Sequence, residues 1–243
     1  MSQPSRPTPS PQPRTVLITG ASRGIGRAVA TAFAAQGAHL ILVARTQGGL
    51  EEADDEVRRA GGTATLVPLD LADGDTVDKL GPSLFARFPH LDVLVSNAGI
   101  LGPITPLSHV PDKDWAEVLT LNLTANWRLI RTLEPLLKRS AAGRAIFVTS
   151  GAAAHPRAYW GPYAASKAAL EALVKTWAAE LANTPVRVNL LNPGRVRTAM
   201  RAKAYPGEDP GTLPAPSDVA QRFVELAAAE FTRTGQVFGP APA

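Results

Sequence analysis

Short apolar segments alternate with helix-like segments along almost the whole chain of 243 residues. This alternation is typical of a parallel sheet that is covered by helices on both faces. No internal repeat or second domain interrupts it, so we predict one doubly wound α/β domain over 14–243 with a parallel sheet of about seven strands. The predicted strands lie at 14–19, 39–44, 64–69, 92–96, 144–149, 186–191 and 235–238.

A glycine-rich turn joins the first predicted strand to the first predicted helix. Glycines let the backbone approach a pyrophosphate, and the helix N-terminus then offers free N–H groups. The spacing is GxxxGxG rather than the usual GxGxxG, and an ordinary strand-to-helix turn is the alternative. We predict that cofactor phosphates are bound by Gly20, Ser22, Arg23, Gly24, Ile25 and Gly26.

The second strand ends at Ala44-Arg45, about 20 residues after the glycine turn. An acid at this point binds the ribose 2′-hydroxyl of NAD, whereas an arginine accommodates the 2′-phosphate of NADP. Arg45 and Arg23 therefore favour NADP(H) over NAD(H), with a solvated loop arginine as the alternative for Arg45.

Other polar or small residues also follow predicted strands. Asp70 follows the third, Asn97-Ala98-Gly99 the fourth and Ser150 the fifth. The carboxyl ends of parallel strands lie along one edge, where ligands bind in open α/β sheets. We expect these residues to meet there, Asp70 as an acceptor for an adenine amino group or merely as a helix cap.

Tyr163 and Lys167 are four positions apart and lie on one helix face. A free phenol has a pKa of about 10, and a nearby ammonium favours the phenolate. The pair is weak evidence alone, since a solvated helix face has the same spacing. After a strand that ends in Ser150, however, it becomes a candidate proton donor.

A long helix is predicted at about 112–138, interrupted at Pro135, where we expect a kink. Asn122 lies inside it, although asparagine is a middling-to-poor helix former. We interpret Asn122 as functional: its side chain, or a distorted backbone there, holds an ordered water.

Several classes of function are disfavoured by composition. The chain has no cysteine, so disulfides and thiolate metal sites are ruled out, and its four histidines lack metal-ligand spacing. The net charge of +4 is dispersed, which disfavours nucleic acid. No apolar run reaches membrane-spanning length.

We expect a cytoplasmic protein with a disordered proline-rich tail at 1–13 and a mobile lid at about 199–216.

Together these motifs resemble the short-chain dehydrogenase/reductase family over about 14–238. Thr19–Gly26 resembles its TGxxxGxG turn, Asn97–Gly99 its NAG motif and Pro193-Gly194 with Thr198 its PGxxxT motif. Ser150, Tyr163 and Lys167 stand at the family's Ser-x12-Tyr-x3-Lys spacing. The stretches 159–163 and 197–210 further resemble a bacterial subgroup of uncharacterised oxidoreductases. The tail, and the absence of the usual C-terminal DGG, depart from many relatives.

The resemblance implies a Rossmann domain that transfers hydride between NADP(H) and a carbonyl or alcohol. Tyr163 is then the general acid and base, Ser150 orients the carbonyl oxygen, Lys167 lowers the tyrosine pKa, and Asn122 positions a water in a proton relay. The implied cofactor contacts are the glycine turn, Arg45, Asp70, Leu71, Asn97, Ala98, Gly99, Tyr163, Lys167, Pro193, Gly194, Val196 and Thr198.

A non-catalytic nucleotide-binding or scaffold protein on the same fold is the alternative, and an isomerase or dehydratase comes third. By analogy we expect a homodimer or homotetramer that pairs through the helices at about 112–138 and 159–183. For the substrate, a small carbonyl or alcohol, we expect a mixed apolar and aromatic pocket in which no single charged residue stands out as an anchor. Its predicted lining is Leu101, His155, Trp160 and 199–215.

Overall fold

A computed structural model describes residues 13–240, so the predicted tail at 1–13 lies almost wholly outside the described residues. Seven strands form one parallel sheet in the order β3-β2-β1-β4-β5-β6-β7. This confirms the predicted fold class. The strands are β1 Thr15–Thr19, β2 His39–Ala44, β3 Thr63–Pro68, β4 Val93–Ser96, β5 Arg144–Val148, β6 Arg187–Leu191 and β7 Val237–Phe238.

Nine α-helices connect the strands of the described region or flank them, and short 3-10 turns occupy Leu107–His109 and Pro210–Thr212. None of the described helices is both long and apolar enough to cross a membrane. The helices are α1 Gly24–Ala34, α2 Gln47–Arg59, α3 Gly74–Phe85, α4 Asp112–Leu119, α5 Ala125–Arg139, α6 Gly151–Ala154, α7 Gly161–Glu180, α8 Ala199–Ala204 and α9 Pro216–Leu226.

The sheet separates two hydrophobic cores because successive strand residues point to opposite faces. Leu17 joins the core that includes Leu133 and Trp177, whereas its neighbour Ile18 joins the core that includes Phe33 and Phe223. Both faces of β1 are therefore buried. Its carboxyl end lies beside that of β4, where the strand order reverses, and this is the usual ligand crevice of open α/β sheets.

The helix predicted at 112–138 is two helices, joined by a π-helical turn at Thr120–Thr124. The helix departs from α geometry at this turn, whereas α5 continues through Pro135 to Arg139. Pro135 is exposed, so water can bind the carbonyl that its missing N–H leaves free. The helix is therefore interrupted at Thr120–Thr124 and not at Pro135, where a kink stays a prediction. The distorted backbone considered for Asn122 is present.

Two short helices lie in segments where no helix was predicted. The helix α6 follows Ser150, and the stretch 199–216, predicted as a mobile lid, contains α8 and a 3-10 turn. Short helices lack the long apolar periodicity from which helices are predicted, because tertiary packing stabilises them more than local preference does. The mobility of 199–216 stays a prediction.

Candidate active site

The glycine turn lies between β1 and α1 and brings backbone atoms close together. Gly20 and Gly24 have φ of +65° and +58°, a region that favours glycine. A Cβ on Gly26 would lie 2.3 Å from the Gly20 carbonyl oxygen and 2.6 Å from Asn97 Nδ2. Arg23, the residue before α1, makes no side-chain cap there, so it leaves the first N–H groups of the helix available to a phosphate.

Gly26→Ala tests this close packing. The added methyl group meets backbone rather than a flexible side chain, so we expect overpacking to cost about 1–3 kcal/mol of folding free energy. The same shift displaces the turn and is expected to weaken NADPH binding about tenfold. Gly48→Ala is the matched control, since a Cβ there has no neighbour within 4 Å. Equal NADPH dissociation constants for the two variants, measured by fluorescence titration, would contradict the expectation.

The end of β4 is bound to the end of β1. Thr19 Oγ1 accepts hydrogen bonds from the backbone N–H groups of Asn97 and Ala98 at 3.0 and 3.1 Å. Asn97 Nδ2 donates to the Thr19 carbonyl oxygen at 3.0 Å. Asn97 therefore fixes the floor of the crevice through hydrogen bonds to the chain. Thr19 contributes equally, but sequence reasoning did not single it out as a site residue.

Arg23 and Arg45 are both exposed and line the same end of a large cavity. Within residues 13–240 neither side chain has a hydrogen bond or ion pair. Asp70 also lines this end, and its Oδ1 accepts the Ala72 N–H at 2.9 Å, so it stabilises the turn before α3. Asp70 is therefore not the helix cap considered above, since Asp73 caps α3 by accepting the Thr76 N–H at 3.2 Å. The contact of Asp70 with an adenine amino group stays a prediction. The buried Leu71 lines the cavity beside it.

The opposite wall comes from the segment after β6. Gly194 has a φ of +77°, and its N–H donates to Asn192 Oδ1 at 3.0 Å. Thr198 caps α8 by accepting the Arg201 N–H at 3.2 Å. Thr198 also faces the glycine turn, because a Cβ on Gly24 would lie 3.7 Å from its methyl carbon. The predicted contacts on this wall are Pro193, Gly194, Val196 and Thr198, and all line the cavity.

Ser150, Tyr163 and Lys167 meet in this cavity, as predicted from their spacing. Ser150 follows β5, and its Oγ accepts the Ala152 N–H at 3.2 Å as the N-cap of α6. Tyr163 and Lys167 lie on the buried face of α7, with Lys167 Nζ 5.8 Å from the centre of the Tyr163 ring. Lys167 Nζ donates to the Val148 carbonyl oxygen at 2.8 Å, which fixes its position.

Burial raises the pKa of Tyr163, and the Ser150 hydroxyl offsets this only in part. The lowered tyrosine pKa that we expected from Lys167 is absent from the protein alone. Burial penalises a phenolate, and the ammonium is hydrogen-bonded to a backbone carbonyl. Tyr163 is therefore held in its neutral form, which can donate a proton.

Burial also lowers the pKa of Lys167 from 10.5 to about 8. The buried ammonium lowers the free energy of unfolding, and this penalty is fully present below pH 8. As the pH rises from about 8 to 10.5 the penalty is relieved, because Lys167 binds fewer protons in the folded state than in the unfolded state. This group alone thus raises the free energy of unfolding by up to about 1.4 kcal/mol per pH unit in that window.

Lys167→Met is therefore expected to stabilise the protein without cofactor by about 1–3 kcal/mol at pH 7, and the gain shrinks towards pH 10. Urea denaturation at several pH values measures this difference. Lys175→Met, on the exposed face of the same helix, is the control and should show no such trend. A gain that is constant across pH 7–10 would contradict the expectation.

Asn122 is fully buried in the π-helical turn. Its Oδ1 accepts the Ile100 N–H at 2.9 Å, while its Nδ2 donates to the Ile100 carbonyl oxygen at 2.9 Å and to Ser166 Oγ at 3.0 Å. The side chain is thus occupied in joining three segments near Lys167. Of the two interpretations of Asn122, the structure favours backbone distortion, because the amide group is already bonded.

One cavity of about 1200 Å³ runs from the glycine turn to Tyr163 and is lined by most of the predicted site residues. Gly26 and Asn122 do not line it. His155, predicted to line the pocket, does not do so either and is exposed. Several charged residues also line the cavity, so its wall is more polar than the apolar and aromatic one we expected. Arg201 and Lys203 lie within the predicted lining 199–215, whereas Asp114, Glu117 and Arg197 were missed by sequence reasoning.

Comparison with known proteins agrees with this geometry. The model of the short chain dehydrogenase family matches residues 14–209. The chain belongs to the short-chain dehydrogenase family. This match confirms the family resemblance seen in the sequence, and membership of the family makes the protein an oxidoreductase.

Relatives of this short-chain dehydrogenase include the uncharacterised oxidoreductase YciK of Escherichia coli K12, which is 36% identical over 233 residues, or 94% of this chain and 92% of YciK. The solved short chain dehydrogenase of Salmonella enterica serovar Typhi matches with a TM-score of 0.90 and 36% identity, covering 95% and 97% of the two chains. An Escherichia coli CFT073 protein solved in complex with NADPH matches at 36% identity and a TM-score of 0.88, covering 94% and 97%.

Proposed function

We propose that this short-chain dehydrogenase transfers hydride between NADP(H) and a carbonyl or alcohol substrate. The observation that carries the proposal is the single cavity that joins the glycine turn to Ser150, Tyr163 and Lys167. A binding protein needs the turn but has no need of a buried tyrosine and lysine at its far end. The cavity volume of about 1200 Å³ leaves room for a substrate beside a dinucleotide.

The residues present fit NADP(H). The close backbone packing at Gly20 and Gly26 leaves no room for side chains where a pyrophosphate lies against the helix N-terminus. Arg23 and Arg45 offer cations at the end where a 2′-phosphate would bind, and the residue before Arg45 is an alanine rather than an acid. The relative solved with NADPH supports the same choice.

NADPH held by the glycine turn and Arg45 would supply the hydride for the carbonyl carbon. Ser150 donates a hydrogen bond to the carbonyl oxygen and so orients it. Neutral Tyr163 donates its phenolic proton to the same oxygen as negative charge develops there. Lys167 stabilises the phenolate that remains, and the π-helical turn at Asn122 holds a water that returns a proton towards Lys167. In the oxidative direction Tyr163, as the phenolate, removes the alcohol proton.

A panel of ketones, aldehydes and quinones, followed by NADPH absorbance, tests this function. Turnover of any of them that depends on Tyr163 supports a reductase. NADPH binding without turnover across the panel would favour a non-catalytic nucleotide-binding protein.

We also propose that two copies of the chain pair through α4, α5 and α7. Trp115 on α4 and Trp127 on α5 are exposed large apolar side chains that such pairing would bury. Sedimentation equilibrium measures the mass of the resulting oligomer.

A further inference from the structure

A small recess opens beside Ser150, at the substrate end of the cavity, and its lining includes three arginines. Its volume is about 150 Å³, enough for one functional group rather than a whole ligand. Arg157 comes from the loop between α6 and α7, Arg195 from the segment after β6, and Arg201 from α8. Because Ser150 and Trp160 line both the recess and the large cavity, a group bound in the recess belongs to a molecule at the catalytic centre.

The recess keeps an excess of positive charge. Glu208 accepts hydrogen bonds from Arg195 at 2.6 Å and from Arg201 at 2.7 Å. These arginines lower the pKa of Glu208 to about 2, so it stays a carboxylate. Glu208 thus pairs with two of the three guanidinium groups, and its single negative charge offsets only one of their positive charges. Within residues 13–240, the Arg157 side chain forms a hydrogen bond only with the Tyr205 hydroxyl, which is a neutral group.

Two of the arginines, Arg157 and Arg201, contact Tyr205, which is linked to Tyr163 through Trp160. Arg201 stacks on Tyr205, 3.7 Å from the ring centre. The ring centre of Tyr205 lies 5.7 Å from that of Trp160, and Trp160 in turn contacts Tyr163 edge-on at 5.8 Å. Because Arg157 donates a hydrogen bond to the Tyr205 hydroxyl and Arg201 stacks on the Tyr205 ring, the recess is formed before a ligand binds. Guanidinium groups arranged in this way suit the two or three oxygens of a carboxylate or phosphate.

We propose that the substrate is a small carbonyl compound with an anionic oxygen group, a carboxylate or a phosphate, that binds in the recess between Arg157, Arg195 and Arg201. Because the recess shares Ser150 with the reaction site, only a few bonds separate this group from the reacting carbonyl. The acids Asp114 and Glu117 line the large cavity but not the recess, so they do not cancel its charge. This proposal rests on the proposed reductase function.

Matched substrates test it: 4-oxobutanoate against its methyl ester, and glycolaldehyde phosphate against glycolaldehyde. We expect kcat/KM to favour at least one of the anions by about tenfold or more, chiefly through KM, as one charge-assisted contact provides. In Arg157→Gln/Arg195→Gln the ratio of kcat/KM for the anion to that for its neutral partner should fall towards one. Arg58→Gln, which removes one positive charge far from the cavity on α2, should keep the preference. Equal use of anion and neutral partner by the wild type, or an unchanged preference in the double variant, would overturn the proposal.

A binding measurement separates this proposal from the reductase function. Calorimetry on the protein with saturating NADPH uses two unreactive probes, succinate and inorganic phosphate, while the nucleotide occupies the pyrophosphate site. Binding of either probe that weakens about tenfold in the double variant supports the recess even if no carbonyl is reduced, and the tighter probe identifies a carboxylate or a phosphate. Turnover of neutral aldehydes without any such binding would leave the reductase standing and exclude the anion site.

Discussion

Tyr163→Phe is expected to reduce kcat for carbonyl reduction by about 10²- to 10⁴-fold, the usual contribution of a general acid. The ring still fills its place against Trp160, and only the phenolic proton donor is lost. Cofactor binding should therefore be kept. Stopped-flow measurement of NADPH oxidation gives kcat, and fluorescence titration gives the NADPH dissociation constant.

Tyr159→Phe is the matched control for this experiment. Tyr159 also loses one hydroxyl, but its side chain is exposed and does not line the cavity. We expect nearly unchanged kcat in this variant. If Tyr163→Phe kept most of its activity, another proton donor would have to serve the carbonyl oxygen, and the proposed role of Tyr163 would be wrong.

Arg45→Asp is expected to weaken NADPH binding by roughly 10- to 100-fold, since a hydrogen bond to a charged group contributes about 1.5–3 kcal/mol. Arg45 is exposed at the cavity edge and makes no bond with another described side chain, so the substitution should not disturb the fold. An acid at this position can accept a ribose 2′-hydroxyl instead. NADH binding should therefore be unchanged or tighter.

Arg87→Asp is the control for the change in net charge, because this exposed arginine precedes β4 and so lies at the opposite edge of the sheet from the cavity. It should affect NADPH and NADH equally and little. Titrations of both nucleotides at several salt concentrations measure the difference. Equal weakening of NADPH and NADH by Arg45→Asp would exclude Arg45 as the 2′-phosphate contact.

Local sequence patterns predicted the parts of the site that one segment forms by itself. The glycine turn appears between β1 and α1, where it was expected, with Gly20 and Gly24 at positive φ. It depends on a few neighbouring residues and their backbone preferences. Prediction failed where packing overrides local preference, as at Pro135, which lies within a continuous helix.

Charge and burial at the site were harder to predict. Tyr163 and Lys167 have the predicted spacing, yet burial on α7 gives Tyr163 a raised pKa and Lys167 a lowered one. Spacing along a helix shows that two side chains share a face. It does not show how much solvent each loses, and desolvation dominates both shifts.

By itself the sequence determined the α/β class, the position of the glycine turn and the spacing of Ser150, Tyr163 and Lys167, because strand alternation and motif spacing are properties of short segments. Only the tertiary structure brought Arg157 and Arg195 together beside Ser150, since they lie on loops that follow different strands of the sheet. The charge around a substrate depends on which loops meet, and that is decided by the packing of the whole sheet and its helices.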